Sequence, residues 1–244
     1  MIISVLASYK CANLINPKSQ LSSVLETVSE TQTHSVSPFS EFEFRSYARV
    51  FIKPGDRPSI TLEGEGRLLD LFRIDQTDGK LTLTTSDPVE FGLETVFNLQ
   101  RLQVKVTVTY TDKLETVVNR GAGNFFLSFM DPDKDLVIEN RGVGDIVAEV
   151  HARSIKADLM GVGSIILRGK ASQLDFRLHG SGKLDAKELV GISGSVTCSG
   201  IGVATVHLTD SLKARLNGLG SIRFRGRPKL DKDITGIGTI EPVD

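Results

Sequence analysis

Residues 155–167 read Ile155-Lys156-Ala157-Asp158-Leu159-Met160-Gly161-Val162-Gly163-Ser164-Ile165-Ile166-Leu167. Apolar residues alternate with polar ones on the way in (Ile155, Ala157, Leu159), a Gly-x-Gly follows, and the alternation resumes at Ile165 and Leu167. Period two marks a strand with one buried face, so the segment predicts two short strands joined at a glycine corner. Such corners ask for glycine because positive φ costs a Cβ-bearing residue about 1 kcal/mol or more. The unit recurs as Gly121/Gly123, Gly142/Gly144, Gly161/Gly163, Gly180/Gly182, Gly200/Gly202, Gly218/Gly220 and Gly236/Gly238. Successive second glycines are 21, 19, 19, 20, 18 and 18 residues apart. Two residues after each of them stands Phe125, Ile146, Ile165, Leu184, Ala204, Ile222 or Ile240. One unit of about 19 residues cannot bury its own apolar face, whereas stacked units can, with like strands aligned into parallel sheets. The expected fold is all-β, a right-handed parallel β-solenoid (β-helix-like) built from these repeats over residues 116–244.

Working outward, residues 36–115 read as an N-terminal β region. Phe42 and Phe44 alternate with Glu41, Glu43 and Arg45, Lys53–Asp56 forms a turn, and Asp78-Gly79 precedes Leu81-Thr82-Leu83 as a hairpin turn. Val104, Val106 and Val108 alternate along a further strand, and no sustained 3.6-residue period follows residue 36. The two regions are expected to stack or pack as halves. Gly64/Gly66 has flanks that do not match the series. Residues 1–35 are expected to be a flexible leader or export segment. No clear signal peptide is visible there, because the apolar opening Met1–Ala7 is short and the first basic residue is Lys10. Cys11 follows Ser8-Tyr9-Lys10 rather than the small residues of a lipoprotein cleavage site.

Composition narrows the function classes. The 244 residues are 40% hydrophobic and 24% charged with a net charge of −1, which excludes wholesale disorder and generic phosphate-backbone binding. No nucleic-acid partner is expected. Two cysteines, Cys11 and Cys198, are too few for a disulfide scaffold. Trp is absent and aromatics make up 6%, which argues against a large stacking platform. No apolar run approaches the ~20 residues of a transmembrane helix.

The repeat units resemble the family described as "putative auto-transporter adhesin head GIN domain". The resemblance is carried by Arg141-Gly142-Val143-Gly144-Asp145-Ile146, Met160-Gly161-Val162-Gly163-Ser164-Ile165, His179-Gly180-Ser181-Gly182-Lys183-Leu184 and Asn217-Gly218-Leu219-Gly220-Ser221-Ile222. Arg225-Gly226-Arg227-Pro228, followed by Thr235-Gly236-Ile237-Gly238-Thr239-Ile240, matches the family's array end, and coverage is roughly residues 36–242. The chain departs from the pattern in placing Val, Ile or Leu between several glycine pairs where the family often has Ser, and in mostly lacking Asp after the second glycine. The resemblance implies a β-solenoid and a place in the cell envelope or outside the cell.

The glycine pairs do not make a dinucleotide fingerprint, which needs a third glycine and a following helix. The position three beyond each second glycine holds Phe126, Val147, Ile166, Asp185, Thr205, Arg223 or Glu241. His151, His179 and His207 fall seven after, three before and five after a second glycine, so they are expected on different faces, and no metal site is expected. Cys198 is in phase with Leu159, Leu178 and Leu216 and reads as a small core residue. Glycosidases need two carboxylates about 5–9.5 Å apart. Glu139 and Asp158 share one phase on adjacent units and are the strongest enzyme lead, read as a solvated edge pair. Arg215, Arg223, Arg225, Arg227 and Lys229 form the densest basic patch, which reads either as the wet face of a strand that blunts an exposed end or as the candidate ligand-binding residues for an anionic partner such as an acidic polysaccharide.

The expected function is a non-catalytic, adhesin-like binding module with no catalytic residues and no cofactor, whose partner is a polysaccharide or an envelope or surface protein. The alternatives are a polysaccharide-active enzyme using Glu139 and Asp158, and a scaffold that self-associates through its terminal units.

Overall fold

Each corner is fixed by its neighbour. A Cβ on Gly161 would lie 1.9 Å from the carbonyl oxygen of Gly142, and one on Gly163, at φ +134°, would lie 2.1 Å from that of Gly144. Consecutive corners therefore stack backbone on backbone, and Gly163, Gly182, Gly202, Gly220 and Gly238 are direct register partners down the stack.

The computed structural model describes residues 29–86 and 104–243. The readings of Met1–Ala7 and Cys11 lie outside them. The first strands are β1 (Ser29–Ser35), β2 (Glu41–Arg45), β3 (Tyr47–Pro54), β4 (Ser59–Glu65), β5 (Phe72–Thr77), β6 (Lys80–Thr85), β7 (Lys105–Tyr110) and β8 (Thr116–Asn119), with one helical turn, α1 (Gly66–Leu69). The chain continues as β9 (Ala122–Asn140), β10 (Ile146–Leu159), β11 (Val162–Leu178), β12 (Ser181–Cys198), β13 (Ile201–Leu216), β14 (Leu219–Arg225), β15 (Lys229–Ile234) and β16 (Ile237–Pro242). Together they wind a parallel β-solenoid of about seven turns. Residues 29–35, expected as part of a leader, instead form an edge strand: β1 pairs antiparallel with β4 from Ser29↔Glu65 to Ser35↔Ser59.

The corner prediction needs correcting at Gly123. Positive φ occurs at the second glycine of the other six pairs, from Gly144 to Gly238, but not at Gly123. Gly123 lies within β9 and pairs with Ala48 of β3, so its neighbour on that side is not another glycine corner. It is the first unit of the array and stacks on a turn of different sequence. Close approach still requires a glycine there, because an added Cβ would lie 2.5 Å from the Ala48 carbonyl oxygen. The first glycine of each pair likewise lacks a positive φ and answers to stacking alone.

Each long strand bends midway and serves two ladders. The first part of β9 pairs with β3, and its last part pairs with β8. The stack has a sheet formed by segments that follow the glycine corners, here the leading sheet, and one formed by segments that precede them, here the trailing sheet. Winding order departs from sequence order at the N-terminal end. Phe44 pairs with Leu83 on one side and Asn119 on the other, and Val50 pairs with Val106 and Phe125. The turn built from β2 and β3, early in the chain, is thus held between the later β6/β7 and β8/β9 turns. β4 and β5 then run antiparallel to β7 and β6 and, with Leu68 and Leu69 of α1 buried, close that end.

One hydrophobic core runs through both expected regions. Phe125, Ile146, Ile165, Leu184, Ala204, Ile222 and Ile240 all point into it, and Phe44 meets Phe125 edge-on at 5.4 Å. Two buried asparagines interrupt the apolar column that Leu159, Leu178, Cys198 and Leu216 continue. Asn119 Nδ2 donates to Asn140 Oδ1 at 3.0 Å, and Asn140 Nδ2 donates to the Gly144 carbonyl at 2.8 Å. At the C-terminal end, β15 and β16 pair only with β13 and β14 among the described residues. There Lys232 stands in register with buried Ala214, and Pro242 with Phe224, so the last turn carries a charge and a missing N–H donor.

Candidate functional site

Period-two strands leave every second side chain on the outside, and the parallel register aligns these into straight columns about 4.8 Å per step. The predicted basic patch is divided by this geometry. Arg215, on the trailing sheet, donates from Nη1 and Nη2 to Asp231 at 3.2 and 3.0 Å. Hydrogen bonding within this pair raises the Arg215 guanidinium and lowers the Asp231 carboxyl from their ordinary values. Arg223, on the leading sheet, lies 3.4 Å from Glu241. Arg225 is the register partner of His207 and ends β14, Arg227 lies in the turn that follows, and Lys229 opens β15. Among the described residues, Arg225, Arg227 and Lys229 have no carboxylate partner within 4.0 Å.

Two of the histidines share a face, contrary to their phases in the sequence. His151, Lys170, Val190, His207 and Arg225 are successive register partners in one column. Irregularities between Ile166 and Arg168, and between Ala186 and Val190, absorb extra residues of β12 and bring His207 into line with His151. The two rings remain three register steps apart, too far to share an ion. His179 Nδ1 instead meets Ser199 Oγ at 2.8 Å beside the corner.

Glu139 and Asp158 are register partners, as the sequence spacing required. Each has its own cation, with Arg141 Nε 2.7 Å from Glu139 and Lys156 Nζ 3.4 Å from Asp158. The expectation of a solvated pair holds poorly for Asp158, which is 2% exposed and whose Oδ1 has no hydrogen-bond partner. Both lie side by side on one sheet surface rather than facing each other across a cleft, the arrangement glycoside cleavage asks for. Glu43, which the sequence reading did not single out, is another carboxylate on this surface and is 1% exposed. Burial pushes its carboxyl up, but hydrogen bonds from Lys80 and Arg45 outweigh this and hold it below the usual carboxylate range. Cys198 is fully buried, and burial raises its thiol.

Three surface features remain. A shallow depression of about 620 Å³ on the trailing sheet is lined by Lys156, Asp175, Ser195 and Lys213 among others. On the leading sheet, Phe51 and Phe126 stack outward with centroids 5.0 Å apart. Along the corners, the residues between the glycines form an apolar ridge: Val143, Val162, Ile201, Leu219 and Ile237 are 58, 55, 58, 47 and 74% exposed. Only the departure from Ser at these positions signalled it in the sequence.

A family model described as "Putative auto-transporter adhesin, head GIN domain" matches residues 38–228. Among solved structures, the chain is similar to a protein from Bacteroides fragilis titled a putative adhesin, with TM-score 0.77 and 22% identity over 88% of this chain and 97% of that one. It is also similar to a protein from Parabacteroides distasonis titled a putative lipid binding protein, with TM-score 0.66 and 20% identity over 88% of this chain and 97% of that one. A putative adhesin from the same organism gives TM-score 0.59 and 19% identity over 89% and 98% of the two chains. No curated protein matches. At these identities the structural likeness speaks to fold alone.

Proposed function

The chain belongs to the putative auto-transporter adhesin head GIN domain family, and from that premise we propose that it is a non-catalytic binding module of the cell envelope or cell exterior. The observation that carries this reading is the set of cations without carboxylate partners at Arg225, Arg227 and Lys229, with Lys170 three register steps from Arg225 in the same outward column of the leading sheet. Such a group of cations at one end of the array, with a further cation along the same column, suits a linear anionic polymer such as an acidic polysaccharide, held by many weak contacts. Arg215 and Arg223 contribute less, because Asp231 and Glu241 offset them.

Retention on immobilised polysaccharides, with soluble sugar release measured in the same wells, tests the proposal. Salt-sensitive retention without release is expected, weakened several-fold in Arg225→Ala/Arg227→Ala. Release that disappears in Glu139→Gln overturns the proposal in favour of an enzyme. A second reading, contact with lipid, is favoured by the exposed corner ridge and agrees with the lipid-binding title of one similar structure.

A further inference from the structure

We infer that the corner ridge is a lipid-surface contact, in which Val143, Val162, Ile201, Leu219 and Ile237 lie lengthwise in the headgroup–acyl boundary of a bilayer. The inference rests on the lipid reading and adds the surface and its mode of contact. Val143, Val162, Ser181, Ile201, Leu219 and Ile237 are consecutive register partners, so the aliphatic chains form one straight line interrupted only at Ser181. Core packing does not require these side chains to be apolar. They point to solvent, and Ser181 occupies the same place without disturbing the register.

Three observations select lipid over a protein partner. The first is area. Five half-exposed aliphatic chains in single file offer on the order of a few hundred Å². A standard protein interface takes about 800 Å² from each side. The convex corner leaves little else to add, but a fluid phase closes around a convex line without needing a complementary surface. The second is charge. Beside Ile201 stand Ser199 and Val203, beside Leu219 stand Asn217 and Ser221, and beside Ile237 stand Thr235 and Thr239. This half of the ridge carries no ionisable side chain at these positions; His179 and Lys183 beside Ser181, like Arg141 and Asp145 beside Val143, are the ionisable groups along the line and stay at headgroup depth. Asn217 and Thr235 also bond each other, with Thr235 Oγ1 donating to Asn217 Oδ1 at 2.8 Å.

The third is the backbone. In lipid, an unsatisfied N–H or C=O costs several kcal/mol, which excludes most exposed corners from a bilayer. Here the ladder already occupies the ridge donors. Val143 N–H donates to Gly121 O at 2.9 Å, Val162 to Gly142 O at 3.0 Å, Ile201 to Gly180 O at 3.0 Å, Leu219 to Gly200 O at 2.9 Å and Ile237 to Gly218 O at 2.9 Å. The glycine pairs that stack the turns so closely thus also make the corner backbone compatible with a low-dielectric phase. The Val143 end is flanked by Arg141 and Asp145, which suits it to headgroup depth and leaves the Ile237 end the deeper one.

The test is co-sedimentation of the full chain with phosphatidylcholine vesicles at low and high salt. Binding that changes little with salt is expected, and Ile201→Asp/Leu219→Asp/Ile237→Asp should lower the partition coefficient at least tenfold. These side chains are exposed, so the variant should keep its far-UV circular dichroism. An environment-sensitive dye at Leu219→Cys, in a Cys11→Ser background, should shift to the blue with vesicles, whereas the same dye at Ser211→Cys on the trailing sheet should not. Three outcomes overturn the inference: absence of sedimentation, equal sedimentation of the triple variant, or a concentration-dependent wild-type dimer that the triple variant loses. The two readings separate cleanly, because Arg225→Ala/Arg227→Ala should keep vesicle binding and the triple variant should keep polysaccharide retention.

Discussion

At the scale of single residues, the corner glycines differ sharply from others in the chain. At Gly182, φ is +150° and an added Cβ would lie 1.8 Å from the carbonyl oxygen of Gly163. Both the backbone conformation and the stacking distance have to yield, so Gly182→Ala should cost about 3 kcal/mol. At Gly64 the nearest atom to an added Cβ is a side-chain carbon of Leu69 at 3.3 Å, which can move. Gly64→Ala should stay within about 1 kcal/mol. Urea midpoints of the two variants check the contrast, and similar values for both would refute it. The corner glycines were legible because a steric demand on the backbone repeats in sequence at nearly constant spacing. That spacing could not tell Gly123 from the six that follow it, since its difference lies in the turn it stacks on, which comes from residues far earlier in the chain. Asn119 and Asn140 were not legible: a buried amide that satisfies a neighbouring amide looks, in one sequence, like a surface residue. Glu43 was hidden for a related reason. Arg45 stands two residues away, but the other two cations of Glu43, Lys80 and Arg120, come from distant chain positions that only the winding brings together.

At the scale of strands, alternation identified which side chains face inward but not where extra residues are absorbed. The spacing between second glycines varies from 18 to 21, yet that count does not say whether an added residue sits at the corner or along a side. Hydrogen-bond register decides, and in β12 it places the irregularity between Ala186 and Val190. That displacement put His207 into the column of His151 against the phase arithmetic. The terminal strands show a different element-level feature. Lys232 and Pro242 occupy inward positions on an edge that has no strand beyond it among the described residues, and both oppose pairing with another sheet. Lys232→Val/Pro242→Thr should therefore self-associate with rising concentration where wild type does not, as sedimentation velocity would show. Unchanged size in the variant would mean that other features guard this end.

At the scale of the molecule, the sequence suggested two halves, and the structure gives them one core with β9 shared between β3 and β8. Stability should consequently be common property. Tyr47 and Tyr110 report on the N-terminal turns, while far-UV circular dichroism reports on all strands. The two signals should lose structure at the same denaturant concentration, within error. An earlier tyrosine transition would show that the N-terminal turns unfold separately. The basic patch belongs to this scale too. Adjacency in sequence promised one cluster, but a coil that changes sheets every few residues distributed Arg215 and Arg223 to different sheets.

The position of the β2/β3 turn between later turns has a consequence for how the chain is made. A polypeptide leaves the ribosome in order, and an ordinary solenoid can add each turn to a finished predecessor. Here Phe42, Phe44, Val50 and Ile52 emerge among the first core residues but gain their partners only when residues 81–83, 106–108, 117–119 and 125–127 have followed. Until then, the nascent segment has two open edges and a phenylalanine-rich face with nothing to cover it. Assembly must wait for this delayed closure. Once it is complete, the remaining turns can zip on one by one.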